Sequence, residues 1–476
     1  MTDQLVADLR RALGEEAVRC DPIELTLYER DASLVTGRAS VVCFPSDGDQ
    51  LAAAVKVCAA HGRPFLPRGS GTGLAGGATP AGDVPPVVIV TTRMNRILEV
   101  DAEQRLAWVE PGVLNLDLSR AVAHLGLHFA PDPSSQQSCT IGGNLANNSG
   151  GPHCLLYGVT NGHLLAMEVV LPDGSVVLLG GIDPEPPGFD LRGAFVGSEG
   201  TMGIASRIAV RLTPLPPSVA TLLADFSTMH DAAGAVTAVI AAGIVPAALE
   251  MMDRTIVEVV EAYVHAGLPL DAAAVLLVEV DGFPAGAAEQ ARRVRGVLEA
   301  NGARSVAVAE GEVQRAAWWK ARKSAFGAVA RIAPNYYLHD CVVPRTRLVE
   351  VLDAVSAIAE ELDLVLGNVF HAGDGNLHPL IVFDKRVPGV LERVHEAGRR
   401  IIEICVAAGG SLSGEHGIGL EKRDYMGLVF GAADLEAQLW LREAFDPSGL
   451  CNPEKILPEG GSRCGDLAEF PEGVWV

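Results

Sequence analysis

Positive charge is scarce in this chain. Lys and Arg number 37 against 59 Asp and Glu, a formal net charge of −22 over 476 residues. That balance argues against a phosphate-backbone binder, which needs a basic face, and so against nucleic acid as a partner. It also argues against attraction to an anionic membrane surface. Cysteine is sparse: the nine (Cys20, Cys43, Cys58, Cys139, Cys154, Cys341, Cys405, Cys451 and Cys464) are odd in number and scattered, no two separated by only two residues. This fits reduced thiols in a reducing, cytoplasmic compartment. It excludes the local four-cysteine runs that hold iron–sulfur clusters. The N-terminus, MTDQLVADLRRALG, is an amphipathic helix pattern without the apolar core of a secretory signal. An uncharged run of 18 residues, 232–249, is rich in alanine and is interrupted by Gly234, Thr237, Gly243 and Pro246. It is too weakly apolar for a membrane span and reads as a buried helix from about Ser227 to Gly243. A Walker-type Gly-Lys-Ser/Thr is missing, which disfavours ATP hydrolysis, and there are no repeats of 20–50 residues.

What is there can fold. Hydrophobic residues make up 49% and charged residues 20%, a globular composition long enough for two or three domains. Residues 1–38 read as a helical preface. From Val41 the chain alternates short strands and helices up to the Pro-rich boundary at 214–217, defining a first domain over 39–216. A second, 217–410, carries strands separated by single helices and a long helix over Val313–Ile332. A final segment, 411–476, follows. The class is α+β.

Two loops in the first domain are rich in glycine. Gly71-Thr-Gly73-Leu-Ala-Gly76 matches the dinucleotide fingerprint letter for letter. Yet Gly77, Pro80, Gly82, Pro85 and Pro86 forbid the helix that must follow, so this is not a Rossmann turn. Glycines let successive N–H groups point into one concavity, and Ser70 and Thr72 add hydroxyls, making an anion nest; the bland reading is a flexible surface loop. The loop 131–151, PDPSSQQSCTIGGNLANNSGG, has the same chemistry, and GSEGTMG at 197–203 is a third such stretch. Three of them call for a polyanion larger than one phosphate, and a dinucleotide fills that role.

The second domain carries FHAGDGNLHP (370–379), followed some forty residues later by SGEHG (413–417). His371 and His378 are seven apart, which on one straight strand sends them to opposite faces. Gly373, Asp374, Gly375 and Asn376 are turn formers, and a hairpin there brings both imidazoles to one end. Glu415 can then supply an oxygen ligand to a divalent ion, leaving His416 as a proton acceptor. A pair of structural histidines is the competing reading, because the spacing is not a closed signature. Arg322 sits on a helix that Trp318, Trp319 and Phe326 make amphipathic; it is either a solvated charge or an inward-facing one.

PRGSGTGLAGG, PDPSSQQSCTIGGNLANNSGG and GSEGTMGI resemble the FAD-binding domain of vanillyl-alcohol-oxidase-type flavoproteins. HAGDGNLHP, GEHGIGLEKR, FDPSGLCNPEKILP and WWKARKSAFGAVARIAPNYYLHD resemble the D-2-hydroxyacid dehydrogenase branch, glycolate oxidase subunits included. The similarity spans about residues 40–458. It implies FAD between two α+β subdomains and an α+β cap domain with an antiparallel sheet. It also implies that Arg68, Gly69, Ser70, Gly71, Thr72, Gly73 and Leu74 cradle the pyrophosphate. Pro131, Ser135, Thr140, Gly143, Asn144, Ser149 and Ile204 line the rest of the cofactor, and Asn452 reaches toward the isoalloxazine. His371, His378 and Glu415 match the metal ligands, with zinc ahead of manganese or iron; His416 matches the base and Arg322 the substrate-carboxylate arginine. No histidine lies in the 67–80 loop, so FAD is expected to be non-covalent.

The reaction implied is oxidation of a small D-2-hydroxyacid such as glycolate or D-lactate. A hydroxyglutarate-type substrate is the alternative, disfavoured because Leu338 and His339 stand where such members carry a lysine. The chain lacks cluster cysteines, so an iron–sulfur subunit, an electron-transfer flavoprotein or a quinone is expected to take the electrons. With that acceptor go a homo- or hetero-oligomer and a cytoplasmic location, peripheral at the inner membrane through a partner. A zinc hydrolase and a non-catalytic flavin subunit of an electron-transfer complex are the rivals from other classes.

Overall fold

Leu5, Leu9 and Leu13 recur at four-residue spacing, and the helix Thr2–Leu13 buries all three. They share a core with Leu51, Val55 and Cys58 of the helix Gly48–Ala60, whose first turn is capped by the Asp47 carboxylate on the Gln50 N–H at 2.9 Å. The computed structural model describes residues 2–183 and 187–458, and Cys464, with the last part of the predicted segment 411–476, lies outside them. It divides into two units.

The first unit comprises the described residues of 1–150, 158–215 and 415–458. One sheet orders Val18–Arg19, Val41–Cys43, Val87–Val90 and Phe65–Arg68, the last three strands parallel. Their runs are apolar on both faces, as a covered parallel sheet requires. A second, antiparallel sheet orders Ile97–Asp101, Leu106–Val109, Ile204–Arg211, Leu164–Val170 and Val176–Gly180. Its core takes in Leu118 and Val122 from the helix Asn115–Val122. Val170 and Ile204, from the second sheet, pack into the core of the first.

The second unit comprises 151–157 and 216–414. Its sheet is antiparallel throughout, in the order Ala303–Val308, Ser218–Phe226, Ala274–Gly282, Ala248–Asp253, Val365–His371, Asn376–Leu377, Cys341–Val342. A side branch pairs Pro379–Phe383 with Val365–His371 and with Asn335–Leu338. The uncharged run forms the helix Met229–Ala241, with buried Ala232, Ala235, Val236 and Val239.

Two sequence expectations need correction. The stretch read as loop over 131–158 contains the helix Ile141–Asn147; Gly142 and Gly143 weaken its propensity, but Thr140 caps it on the Gly143 N–H at 3.2 Å. The long helix over 313–332 breaks into Glu312–Lys323, Ala325–Ala328 and a 3₁₀ turn, around the weak helix formers Ser324 and Gly327.

Candidate active site

In the first unit the glycine loop leaves the buried edge of the parallel sheet at Arg68. No helix follows it before the next strand at Val87, so the fingerprint match is indeed not a Rossmann turn. The Arg68 guanidinium folds back onto the Ala78 carbonyl at 2.7 Å, and Gly71 sits at φ +70°, where a Cβ would also strike that guanidinium. Among the described residues, the N–H groups of 70–77 donate to no acceptor. A half-exposed run of unanswered N–H groups is a donor nest that fits a pyrophosphate. Gly69 lies against the Thr140 hydroxyl, and a Cβ built on Gly73 would lie 3.9 Å from the Asn147 amide, so the two predicted loops meet.

The second loop is held from within. The Asn115 amide donates to the Pro131 carbonyl and to the Asn144 Oδ1, both at 2.9 Å, with both asparagines buried. The Ser149 carbonyl accepts from the Thr160 hydroxyl at 2.8 Å. Ser135 begins the turn that its carbonyl closes by accepting from Cys139 N–H at 2.8 Å. Ile204 is in the sheet core. Asn452, at φ 42°, donates to the carbonyls of Gly77 (3.0 Å) and Glu199 (2.7 Å), fastening the third glycine stretch to the first. The residues fit an extended dinucleotide.

Glu199 was overlooked by the sequence reading. Its carboxylate accepts from the backbone of Ile418 (2.7 Å) and Gly419 (2.8 Å), just after His416. Burial raises it to about 7, against those two N–H groups and Lys422 and Lys455, which favour the charged form. Burial similarly lowers Lys455, which donates to the Thr79 carbonyl at 2.8 Å, to about 8.

In the second unit the hairpin forms as the turn residues require. His371 ends its strand opposite Asn376, and the imidazoles of His371 and His378 come together with ring centroids 5.0 Å apart at 80°. The His378 Nε2 lies 3.4 Å from the buried Asp340, whose other oxygen accepts from the Ser413 hydroxyl at 2.6 Å and the Gly414 N–H at 3.2 Å. A Cβ at Gly414 would lie 2.5 Å from the Asn376 amide, so the chain passes tightly against the histidine turn immediately before Glu415. Glu415 and His416 begin the return to the first unit, their side chains 3.6 Å apart.

Arg322 is not a solvated charge: its side chain is 0% exposed, and Nη2 lies 2.6 Å from Glu250. None of Nε, Nη1 and Nη2 makes a hydrogen bond among the described residues, so the contact with Glu250 is an ion pair only. A buried guanidinium fork of this kind suits a carboxylate. The other Glu250 oxygen is 2.7 Å from His371 Nδ1. Burial acts to raise Glu250, but Arg322, His371 and His378 outweigh it and hold the carboxyl below its ordinary value. Asp340 and Glu250 were also missed; a glutamate inside the apolar run ALEMM was the signal for the latter. A third cluster joins Glu279 to the Thr221 hydroxyl (2.6 Å), the Trp319 indole (2.7 Å) and Arg315 (3.0 Å), with His153 stacked on Trp319.

The paired imidazoles of His371 and His378 beside the Asp340 carboxylate are a donor set of the kind a divalent cation takes. With Nδ1 committed to Glu250, His371 can ligate through Nε2, the arrangement by which outer carboxylates orient ligating histidines.

The fold and its glycine loops define a flavoprotein of the vanillyl-alcohol-oxidase type. Residues 39–180 match the FAD binding domain profile and 215–456 the profile for the C-terminal domain of FAD linked oxidases. The glycolate oxidase subunit GlcD of Escherichia coli (strain K12) is 44% identical over 458 residues, 96% of this chain and 91% of that one. D-lactate dehydrogenase of Anaerostipes hadrus is 32% identical, covering 90% of this chain and 92% of its own. Among solved structures, p-cresol methylhydroxylase with substrate bound matches with a TM-score of 0.82 at 17% identity, over 95% of this chain and 96% of that one, a likeness of fold alone. The chain belongs to the FAD-linked oxidases.

Proposed function

We propose that this protein oxidises a small D-2-hydroxyacid, glycolate or D-lactate, to the 2-oxoacid. The observation that carries the reading is the buried array of Arg322, Glu250 and His371 beside His378, a carboxylate-seeking fork next to paired imidazoles. The names of the relatives, a glycolate oxidase subunit and a D-lactate dehydrogenase, support the substrate class.

Non-covalent FAD, when bound, supplies the hydride acceptor, and a divalent cation supplies acidity to the C2 hydroxyl. The residues do the rest. The loops 68–74 and 131–149, with Asn452, hold the dinucleotide. Arg322 grips the substrate carboxylate by its charge and its N–H donors and so orients C2. His371, His378 and Glu415 hold the cation; Gly414, bonded to Asp340, carries the chain directly into Glu415. His416 takes the hydroxyl proton on its imidazole, as a general base. The buried Leu338 and His339 offer no lysine for a second carboxylate, which favours a short substrate over a hydroxyglutarate type.

No helix among the described residues is long and apolar enough to cross a membrane. The electrons then leave to a separate acceptor, an iron–sulfur subunit, an electron-transfer flavoprotein or a quinone, with the protein in the cytoplasm or held at the inner membrane by that partner. Anaerobic mixing of metal-replete protein with glycolate, D-lactate, L-lactate and D-2-hydroxyglutarate tests the reading through the flavin band near ~450 nm. Bleaching by the short D-acids or glycolate is expected. A colourless protein that takes up no flavin would favour a zinc hydrolase, and a yellow one that no hydroxyacid bleaches would favour a non-catalytic flavin subunit; either result overturns the proposal.

A further inference from the structure

Strand Ala248–Asp253 is apolar except for Glu250 and its terminal aspartate, and all six residues are buried. The antiparallel register sets Glu250 opposite His371. An isolated carboxylate at such a position is costly, whereas one with an imidazole against one oxygen and a guanidinium in ion-pair reach of the other is offset by both. Its two oxygens are divided in that way, 2.7 Å from His371 Nδ1 and 2.6 Å from Arg322 Nη2.

We propose that Glu250 is the positioning residue of the site: it fixes His371 as an Nε2 metal ligand and aims the Arg322 fork, so that metal affinity and substrate-carboxylate affinity depend on one side chain. The proposal rests on the assignment of His371 to a divalent metal and of Arg322 to the substrate.

The chemistry of the pair sets the direction. A neutral imidazole has one N–H, and an acceptor at Nδ1 draws it there, leaving the Nε2 lone pair for a cation. The same carboxylate is the sole ion-pair partner of Arg322 among the described residues. Arg322 is wholly buried, so its rotamer is set by that contact and by the packing of Trp318 and Trp319 on the same helix. A glutamine at 250 keeps the shape but loses the charge, and turns an amide N–H₂ toward one of two donors. An aspartate keeps the charge but is one methylene too short to serve both. A purely structural ion pair would lower fold stability on substitution and leave the affinities of the folded fraction as they are.

The experiment uses the full flavin-loaded chain with Glu250→Gln, Glu250→Asp and His371→Ala. Zinc affinity is measured by competition with a chromogenic chelator. KM and kcat are measured at saturating zinc, and thermal midpoint and flavin content report folding. Glu250→Gln is expected to weaken zinc binding by about 10–100-fold and to raise KM for the hydroxyacid, with flavin content unchanged. Glu250→Asp is expected to fall between it and the native protein on the zinc axis. Native zinc affinity and native KM in a folded Glu250→Gln protein would overturn the proposal. If Glu250→Gln does not fold, Glu250→Asp decides, and native affinity there overturns it. Zinc lost in His371→Ala but retained at native affinity in the Glu250 variants would sink Glu250 alone. A native protein that binds no zinc would sink the metal assignment and Glu250 with it.

Discussion

Burial decides the role of single residues in this protein more than motif letters do. Arg322 could have been a helix surface charge; its complete burial, with guanidinium N–H groups that no acceptor among the described residues takes, is what supports the proposed carboxylate role. Arg322→Ala should therefore raise KM for the hydroxyacid steeply while kcat changes less; an unchanged kcat/KM in steady-state assays would clear Arg322 of the role. Truncation also leaves Glu250 buried without its counter-charge, a loss of about 3–5 kcal/mol by precedent, so Arg322→Lys is the companion variant. His416 is half-buried, with Glu415 3.6 Å away. His416→Ala should abolish turnover and leave the yellow cofactor bound, and a variant with native turnover would refute the assignment. Removing metal by chelation should likewise stop turnover without releasing FAD, measured by absorbance of the desalted protein.

At the scale of elements, the sequence was most legible where a turn needs particular residues. The histidine hairpin followed from Gly373, Asp374, Gly375 and Asn376 between apolar runs, and the strand Val365–His371 ends where that reasoning put it. The exclusion of a Rossmann turn also held, because prolines after Gly76 cannot continue a helix. What was hidden had one of two causes. Glycine masked the helix Ile141–Asn147, whose stability comes from its Thr140 cap and from buried Ile141 and Leu145 rather than from propensity. Long-range partners masked Glu250, Asp340 and Glu199, since each meets groups from 38 to 220 positions away and no local pattern marks such a pair. The glycine loop itself yields a test. Gly71→Val places a β-branched side chain at φ +70° and against Arg68. Flavin content after purification should fall severalfold while far-ultraviolet circular dichroism stays native; full flavin loading would remove the loop from the cofactor site.

For the whole molecule, acid and base pull the two units in different directions. In the first unit, burial raises Glu199 and Glu421, each to about 7, above the ordinary 4.5. A carboxyl that holds its proton more tightly when folded contributes stability that is full below its unfolded value and is lost as pH climbs through its folded value. The first unit should therefore weaken between about pH 4.5 and 7. In the second unit, Glu250 and Glu279 are held below 4.5 although burial opposes it, by Arg322 and His371 on one and by His153 and Arg315 on the other. Their contribution is present above the unfolded value and disappears on acidification. Chemical denaturation followed by release of flavin fluorescence reads the first unit, because the cofactor loops belong to it. Its midpoint should fall from pH 5 to pH 7.5, and the double variant Glu199→Gln, Glu421→Gln should flatten that fall, since an amide has no proton to lose. The acid-side loss, followed by tryptophan fluorescence in a background with Trp108, Trp440 and Trp475 replaced by phenylalanine so that Trp318 and Trp319 report, should persist in the same variant. An undiminished slope between pH 5 and 7.5 would mean that these two carboxyls titrate normally, with water or a cation reaching what is buried here.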